Sequence, residues 1–131
     1  MTDKAQAALE LLRTKSLAFV GTVDADGQPQ VTPVWVDVID GKPAFNTAVG
    51  RTKERNLRRD PQISLAITDP DDPYSYYEIQ GRATLTEEGA DDFIDALAKK
   101  YLDVDSYPFR TPGEQRITVL VEPEKVLGGA G

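Results

Sequence analysis

The most concentrated charge in the chain lies between residues 51 and 59. Five cations stand there against a single acid, Glu54: they are Arg51, Lys53, Arg55, Arg58 and Arg59. The whole chain has a formal net charge of −7, so this basic segment differs sharply from its surroundings. Because like charges at this spacing repel one another, a bound anion would offset an unfavourable interaction. Arginine can bind a phosphate or a carboxylate through two parallel hydrogen bonds, and lysine adds a mobile point charge.

A helix that starts near Arg51, just after Gly50, would place this charge at an anion-binding position. The first turn of a helix has free N–H groups and a partial positive charge, and Arg51, Thr52 and Lys53 would surround it. Four arginines of the segment would also share one face of the helix. The segment therefore predicts a phosphate or carboxylate site. The alternative is a solvated helix whose cations pair with neighbouring acids such as Glu54 and Asp60.

The composition excludes several kinds of chemistry. The 131 residues include no cysteine and no histidine, which excludes disulfide frameworks, zinc fingers, iron–sulfur clusters, histidine-dependent triads and histidine-ligated haem. The acidic net charge opposes binding to nucleic acid. No segment has the roughly 18 apolar residues that a membrane helix needs, and the polar N-terminus is unlike a signal peptide. We therefore expect a soluble cytoplasmic protein that does not bind membranes.

Other residues that could contact a ligand give weaker signals. Three aspartates between residues 69 and 72 could bind a hard metal ion, but acids in a proline-containing segment are typical of a turn, and no metal site is predicted. Tyr74, Tyr76 and Tyr77 could flank a planar ligand, although tyrosines in a strand more often serve packing. Trp35 could form the wall of a pocket, part of the core or part of a dimer interface.

Hydrophobic periodicity predicts the elements that must position these residues. Three helices are expected, at 5–15, 51–59 and about 87–102, the last with Thr86 as its N-cap. Six strands are expected, at 17–23, 30–39, 43–48, 62–68, 76–85 and 115–122. Gly81 suggests a bulge or a close approach within the fifth strand. Loops are expected at 69–73 and 103–113, and little should hold the tail after Pro123.

The connections between the strands indicate the architecture. Alternating strands joined by hairpin-length turns favour an antiparallel sheet that closes into a small barrel, with the helices in the gaps. The fold class is therefore mainly β with flanking helices. The length is that of one domain, which we expect to span residues 1–131.

Several segments together resemble one family. They are Phe-Val-Gly-Thr-Val at 19–23, Gln-Val-Thr-Pro-Val-Trp at 30–35, Phe-Asn-Thr-Ala-Val-Gly-Arg-Thr-Lys-Glu-Arg-Asn-Leu-Arg-Arg-Asp-Pro at 45–61 and Tyr-Tyr-Glu-Ile-Gln-Gly-Arg-Ala at 76–83. The pattern is similar to the split β-barrel flavin-binding superfamily of pyridoxamine 5′-phosphate oxidase, and within it to the reductases that use the deazaflavin coenzyme F420. The resemblance implies a six-stranded antiparallel split β-barrel. It also implies a homodimer with two cofactor sites in grooves between the protomers.

The resemblance assigns roles to individual residues. Arg51 and Lys53 would hold the cofactor phosphate, with Arg55 and Asn56 beside it. The ring and its ribityl chain would lie along the second and third strands, against Thr32, Pro33, Val34, Asn46 and Thr47. The partner protomer would contribute Tyr74, Ser75 and Tyr76. The candidates for the substrate side are Trp35, Tyr107 and Phe109.

The activity implied by the resemblance is hydride transfer from reduced F420 to a small planar or conjugated acceptor, such as a quinone, an enone or a tetrapyrrole. F420 carries a phosphodiester and an oligoglutamate tail, so it would use more of the cations than FMN would. Two alternatives stay open, an FMN-binding reductase or oxidase on the same barrel and a non-catalytic coenzyme-binding protein. The Arg-x-His pair of the oxidase branch is missing because the chain has no histidine, and no catalytic acid is assigned.

Overall fold

The structure, a computed structural model, describes residues 3–130. Its helices are α1 (Asp3–Arg13), α2 (Thr52–Arg59) and α3 (Ala90–Leu102). Its strands are β1 (Ala18–Val23), β2 (Pro29–Val34), β3 (Val36–Ile39), β4 (Lys42–Ala48), β5 (Gln62–Asp69), β6 (Asp72–Thr86) and β7 (Arg116–Ala130). The predicted class, mainly β with flanking helices, is confirmed, but this range contains seven strands rather than six. No helix within residues 3–130 is long and apolar enough to cross a membrane.

The sheet curls because of where its two edges lie. All seven strands form one antiparallel sheet in the order β2-β1-β5-β6-β7-β4-β3. Strands β2 and β3 are consecutive in sequence, yet they are the opposite edges of that sheet, and only Trp35 lies between them. Because one residue spans about 3.8 Å, the edges must approach each other at this point. The sheet is therefore a split barrel.

The break at Trp35 corrects the prediction of one strand over 30–39. As far as Val34 the chain pairs with β1, and from Val36 it pairs with β4. Tyr101 of α3 stabilises this change of partner. Its hydroxyl accepts a hydrogen bond from the Val36 N–H at 3.1 Å, and its ring stacks on Trp35 with 5.5 Å between the centroids. The strand-like sequence on both sides of Trp35 gave no sign of the break.

One face of the strands fills the barrel. Alternate residues of β1 and β5 are buried, among them Val20 and Leu65. Helix α1 packs its apolar stripe, which includes Leu12, against this core. The opposite face of β1 and β2 leaves Phe19 and Val31 48% and 62% exposed. The barrel core is therefore lined by one face of these strands, and an apolar outer face is left on this part of the sheet. A second, smaller apolar cluster lies under α3, where Ile94, Leu97 and Tyr101 pack with Trp35.

Strand β7 is longer than predicted. Residues beyond Pro123 pair with β6 until Ala130 lies opposite Ser75, whereas the tail was expected to have little to hold it. Proline has no N–H to donate to a ladder, and the register shifts opposite it, between Gln80 and Gly81, before the pairing resumes. The strand pattern in the sequence stops at Pro123, but the partner strand continues to offer hydrogen bonds.

Two further boundaries differ from the predictions. The loop expected at 69–73 is a tight turn, and β6 begins at Asp72 because its pairing with β5 continues to the turn. Helix α3 begins at Ala90, with Gly89 as its N-cap in the left-handed region at φ 72°, so Thr86 is not the N-cap. The Thr86 hydroxyl instead accepts a hydrogen bond from the Glu88 N–H at 3.2 Å, within the turn before the helix.

Candidate active site

A cleft of about 290 Å³ opens beside the break in the sheet. Its walls come from β2, β4, the start of α2, α3 and the segment between α3 and β7, so residues distant in sequence meet there. The cleft brings together nine of the residues predicted to form a site: Pro33, Val34, Trp35, Asn46, Thr47, Arg51, Lys53, Tyr107 and Phe109. Its lining includes three cations and three aromatic rings.

The cationic lining includes Lys53, in the first turn of α2. Its Nζ donates a hydrogen bond to the Thr32 hydroxyl at 3.0 Å, which joins the start of the helix to β2. Burial, and then the nearby charge of Arg51, lower the pKa of Lys53. Arg51 is about half exposed, and its Nη2 lies 3.7 Å from the Glu114 carboxylate. A bound anion would counteract both effects on Lys53, so this pair is a suitable anion-binding position.

Helix α2 is fixed at its start by the buried carboxylate of Glu54. This carboxylate accepts a hydrogen bond from the Gly50 N–H at 2.9 Å and forms an ion pair with Arg58 at 2.9 Å, one turn later. These contacts, the Gly50 N–H first, lower the pKa of Glu54. Gly50 has a backbone φ of +93°, a conformation that residues with a side chain rarely adopt. The turn before α2 is thereby fixed, together with the cations that follow it.

The basic segment does not act as one unit. Arg58 pairs with a buried acid of the same helix, while Arg55 and Arg59 each donate to a backbone carbonyl oxygen. Of the five cations, Arg51 and Lys53 line the cleft. The alternative interpretation, in which the cations pair with neighbouring acids, applies to Arg58, whereas Arg55 and Arg59 are bonded to the backbone outside the cleft. The anion-binding interpretation is restricted to the other two.

The aromatic lining consists of Trp35, Tyr107 and Phe109. Tyr107 meets Trp35 edge to face with 6.1 Å between centroids, and Phe109 meets Tyr107 in the same way at 5.6 Å. Phe109 is 62% exposed, so this part of the wall is available to cover a planar ligand. The apolar lining is completed by three residues that the sequence reasoning missed: Leu17, Ile94 and Leu97.

The segment that carries the outer rings is anchored to α3 by Asp95. The Asp95 carboxylate accepts hydrogen bonds from the Tyr107 N–H at 2.8 Å and from Arg110 at 2.7 Å, and Arg110 also reaches Asp91 at 3.0 Å. The Tyr107 N–H, with Arg110 adding to it, holds the pKa of Asp95 below its ordinary value. The ionic anchor is therefore lost only as the pH falls through that lowered pKa.

We expect Asp95→Asn to loosen this aromatic wall without unfolding the protein. The variant removes the charge that holds Arg110, so trypsin should cleave faster after Arg110, as measured by limited proteolysis and mass spectrometry. Because ion pairs this exposed contribute up to about 1 kcal/mol, the free energy of unfolding should fall by no more than that. Asp92→Asn, an exposed position on the same helix, is the matched control. Equal cleavage rates in the two variants would contradict the anchoring role.

Arg116, at the start of β7, is a lining residue that sequence reasoning missed. It is 5% exposed. Its Nε donates to the Asn46 side-chain oxygen at 2.8 Å, its Nη1 donates to Glu114 at 2.9 Å, and its guanidinium lies 5.1 Å from the centroid of the Tyr107 ring. One feature of the sequence could have pointed to Arg116, namely an arginine directly before the apolar residues of a strand. Because an arginine is rarely buried without partners, such a position indicates a polar site at the end of the strand.

Asn46 and Thr47 differ in what they leave free for a ligand. The Asn46 amide donates to the Ala90 carbonyl oxygen at 2.9 Å and accepts from Arg116, so both of its ends are bonded within the protein. The Thr47 hydroxyl is buried and has no hydrogen-bond partner among residues 3–130. A buried polar group without a partner is costly. Because Thr47 lines the cleft, a polar ligand atom could supply that partner.

The other residues predicted for the site do not line this cleft. Thr32 is the hydrogen-bond partner of Lys53, and Thr52 is exposed on α2. Asn56 is buried, and its amide donates to the Thr22 hydroxyl at 3.0 Å, so it joins α2 to β1. Strand β6 carries the three residues expected to act from a partner protomer, Tyr74, Ser75 and Tyr76, whose role stays a prediction.

A family model described as pyridoxamine 5′-phosphate oxidase matches residues 2–128. The chain belongs to the pyridoxamine 5′-phosphate oxidase family. Membership of this family confirms the resemblance drawn from the sequence motifs. It also agrees with the curled antiparallel sheet, and it indicates an oxidoreductase fold of the kind that binds flavins and deazaflavins.

Solved structures similar to this family member include an F420 reductase. That structure is 26% identical, with 90% of this chain and 94% of the other covered and a TM-score of 0.78. A conserved hypothetical protein from Mycobacterium tuberculosis is 23% identical, with 99% and 85% covered and a TM-score of 0.75. A heme binding protein from Mycobacterium smegmatis is 22% identical, with 100% and 56% covered and a TM-score of 0.72. The last two share the fold.

Proposed function

We propose that this protein is an F420-dependent reductase that works as a homodimer. The observation that carries the proposal is the composition of the cleft. Arg51 and Lys53 offer an anion-binding position there, and Trp35, Tyr107 and Phe109 offer flat apolar surfaces. A redox coenzyme with a planar ring and a phosphate on its side chain needs that combination. The likeness to an F420 reductase at 26% identity supports the deazaflavin.

The cleft residues fit such a coenzyme in three respects. The pKa of Lys53 is lowered by burial and by the charge of Arg51, and a bound phosphate would give this lysine a counter-ion. The Thr47 hydroxyl, which is buried without a partner in the described part of the chain, gains a hydrogen bond. Pro33 and Val34 lie on β2, an edge strand of the sheet, whose outer backbone groups are free of sheet pairing and can bond the polar edge of a ring.

The chain's own residues bind, orient and shield in this proposal. When bound, reduced F420 supplies a hydride, which carries two electrons. Arg51 and Lys53 hold the anionic side chain and thereby limit where the ring can lie. Trp35 and Tyr107 cover an apolar surface and exclude water from it. Solvent supplies a proton where the acceptor needs one, because the cleft is open beside the exposed Phe109.

The homodimer is proposed from the uncovered apolar face of the sheet. Phe19 and Val31 are exposed there, and Pro33, opposite Phe19 in the ladder, is exposed as well. Contiguous exposed apolar surface is typical of an interaction site. Because Pro33 also lines the cleft, a second copy on this face would lie beside the cofactor site. This arrangement is consistent with contributions from the partner's β6.

FMN is the second candidate coenzyme. Two cations of the basic segment line the cleft, and two cations suit a single phosphate as well as they suit the longer anionic chain of F420. Arg58 and Arg59, which were expected to favour F420 through its tail, bond groups of the protein itself.

Titration of the apoprotein with F420 and with FMN tests the proposal. The fluorescence of Trp35, the single tryptophan, reports binding, and calorimetry provides an independent affinity. We expect F420 to bind more tightly than FMN, and reduced F420 to be oxidised when a quinone or an enone is added. Tighter binding of FMN would favour the second candidate. Tight binding of F420 without oxidation by any of a panel of acceptors would indicate a non-catalytic coenzyme-binding protein.

A further inference from the structure

Arg116 is held in the cleft more rigidly than the other two cations. Its Nε and Nη1 are bonded to Asn46 and Glu114, and the ring of Tyr107 lies 5.1 Å from its guanidinium. Asn46 is in turn fixed by its bond to Ala90 on α3. A guanidinium held by two hydrogen bonds and one aromatic ring has little freedom left to lose when a ligand binds.

This guanidinium also keeps hydrogen-bond donors free. An arginine side chain has five N–H donors, and the protein contacts of Arg116 use Nε and Nη1. Among residues 3–130, no hydrogen bond is found for its Nη2, although the residue is 5% exposed and lines the cleft. Nη2 is not one of the buried side-chain atoms without a partner, which in the described residues are the Thr47 and Thr118 hydroxyls, so it is an accessible donor that still lacks a partner. A ligand oxygen in the cleft would supply that partner.

The charges around Arg116 determine whether its free donor suits a neutral carbonyl oxygen or a charged phosphate oxygen of a ligand. Glu114 forms an ion pair with Arg116 at 2.9 Å and lies 3.7 Å from Arg51, so its carboxylate is closer to Arg116. The paired guanidinium offers directed N–H donors with little net charge, which suits a neutral carbonyl oxygen better than a phosphate. The less neutralised Arg51 and Lys53 suit the phosphate.

We propose that Arg116 binds the carbonyl oxygen of a planar, conjugated acceptor whose ring lies against Tyr107 and Trp35. The proposal rests on the proposed function and adds to it a residue that recognises the acceptor. The carbonyl accepts a hydrogen bond from Nη2, while the edge-to-face pair of rings provides the apolar surface for the rest of the molecule. An aromatic hydrocarbon of the same shape, without the oxygen, would leave the donor unpaired.

The same bond would assist reduction of the acceptor. A reduced deazaflavin bound in the cleft would supply the hydride with its two electrons and would itself be oxidised, and the hydride would form a C–H bond at the acceptor carbon conjugated with the carbonyl. The π electrons move to the carbonyl oxygen, and solvent donates the proton that completes the reduction. Negative charge on that oxygen strengthens its hydrogen bond to the guanidinium, so Arg116 would stabilise the transition state more than the bound acceptor.

Binding of 1,4-naphthoquinone to the apoprotein, compared with naphthalene, tests the inference without turnover. The double variant Glu114→Gln with Arg116→Gln removes both charges of the buried pair and so leaves neither unpaired. We expect its Kd for naphthoquinone to rise about tenfold, the value of one hydrogen bond to a charged group. Its Kd for naphthalene should stay at the wild-type value, and kcat with naphthoquinone should fall more than KM rises.

Arg116→Lys is the second variant. It keeps a cation beside Glu114 but loses the planar arrangement of donors, and we expect the same loss of naphthoquinone affinity. Wild-type affinity for naphthoquinone in both variants would overturn the inference. A loss of F420 affinity with naphthoquinone binding unchanged would also overturn it, because Arg116 would then belong to the coenzyme's anion site. Failure of the wild-type protein to bind F420 would refute the proposed function, while the naphthoquinone comparison would still decide the role of Arg116.

Discussion

Lys53→Ala should weaken the binding of F420 by about 1–3 kcal/mol, or roughly 5- to 150-fold in Kd. The physical reason is the loss of a charge-assisted hydrogen bond from a partly buried position. The Lys53 amine is already held at 3.0 Å from the Thr32 hydroxyl, so little freedom is lost when it binds a phosphate. Arg51→Ala should act in the same direction but less strongly, because Arg51 is half exposed and lies near Glu114. Titration calorimetry measures both affinities.

The stability of the apoprotein should respond in the opposite direction. Burial and the charge of Arg51 lower the pKa of Lys53, which means that its charged form is unfavourable in the folded protein. That cost is present below the lowered pKa of the folded protein and diminishes as the pH rises from there to the ordinary pKa of lysine. Lys53→Ala should therefore maintain or raise the melting temperature without ligand, as measured by scanning calorimetry. A weaker coenzyme affinity in a protein of undiminished stability would assign Lys53 to binding rather than to folding.

Two variants of α1 control for the change in net charge. Lys4→Ala and Arg13→Ala each remove one exposed cation from a helix that does not line the cleft. Their affinity for F420 should equal that of the wild type at the same ionic strength, because solvent and salt screen distant charges. If Lys53→Ala and Arg51→Ala also bound F420 with wild-type affinity, the phosphate would have to lie elsewhere.

Gly81→Ala should destabilise the fold by roughly 3 kcal/mol, at the upper end of the usual cost of overpacking. A Cβ at this position would overlap the Glu122 carbonyl oxygen and lie 2.9 Å from the carbon of the same group. Those atoms belong to the backbone of β7, so a side-chain rotation cannot relieve the clash. One strand of the long β6–β7 pair would have to move. For a chain of this length we expect the melting temperature to fall by about 10 °C.

Gly21→Ala is the matched control, since it adds the same methyl group to a glycine in β1. The nearest heavy atom to that Cβ is the Ser64 carbonyl oxygen at 3.8 Å, an ordinary contact. The change in the free energy of unfolding should stay within about 1 kcal/mol, and reduced freedom of the unfolded chain favours a gain. Equal stability of the two variants would show that the β6–β7 pair accommodates the added atom.

Local patterns in the sequence were sufficient for much of the fold. β-Branched and aromatic residues predicted β1, and alternating apolar residues predicted β5. Buried positions alternate along both strands in the structure. Helix α2 ends at Arg59 as predicted, and the physical reason is local, because Pro61 disfavours the helical conformation at Asp60 before it. The prediction of a close approach at Gly81 is confirmed by its contact with the Glu122 carbonyl group. These features depend on residues that are neighbours in the chain, so a short window of sequence contains their cause.

Local sequence patterns did not predict which strands pair with each other. The change of partner at Trp35 depends on β4 and on Tyr101, which are distant in sequence. The extension of β7 beyond Pro123 depends on the unpaired edge that β6 offers. In local sequence, the segment around Trp35 resembles one continuous strand and the segment after Pro123 resembles an unpaired tail. Pairing over a long sequence separation is decided by the packing of the whole sheet, which alternation alone cannot report.

By itself, the sequence determined the available chemistry. Because the chain has no histidine and no cysteine, any chemistry has to come from carboxylates, lysine, arginine, tyrosine, serine and threonine, from backbone groups or from a borrowed cofactor. The tertiary structure alone decided which of those groups meet. It directs Arg55, Arg58 and Arg59 to bonds within the fold, leaves Arg51 and Lys53 in the cleft, and buries Arg116 beside them. The physical reason is that the curled sheet brings the ends of β2, β4 and β7 together, and a charged side chain's role depends on the partners found there.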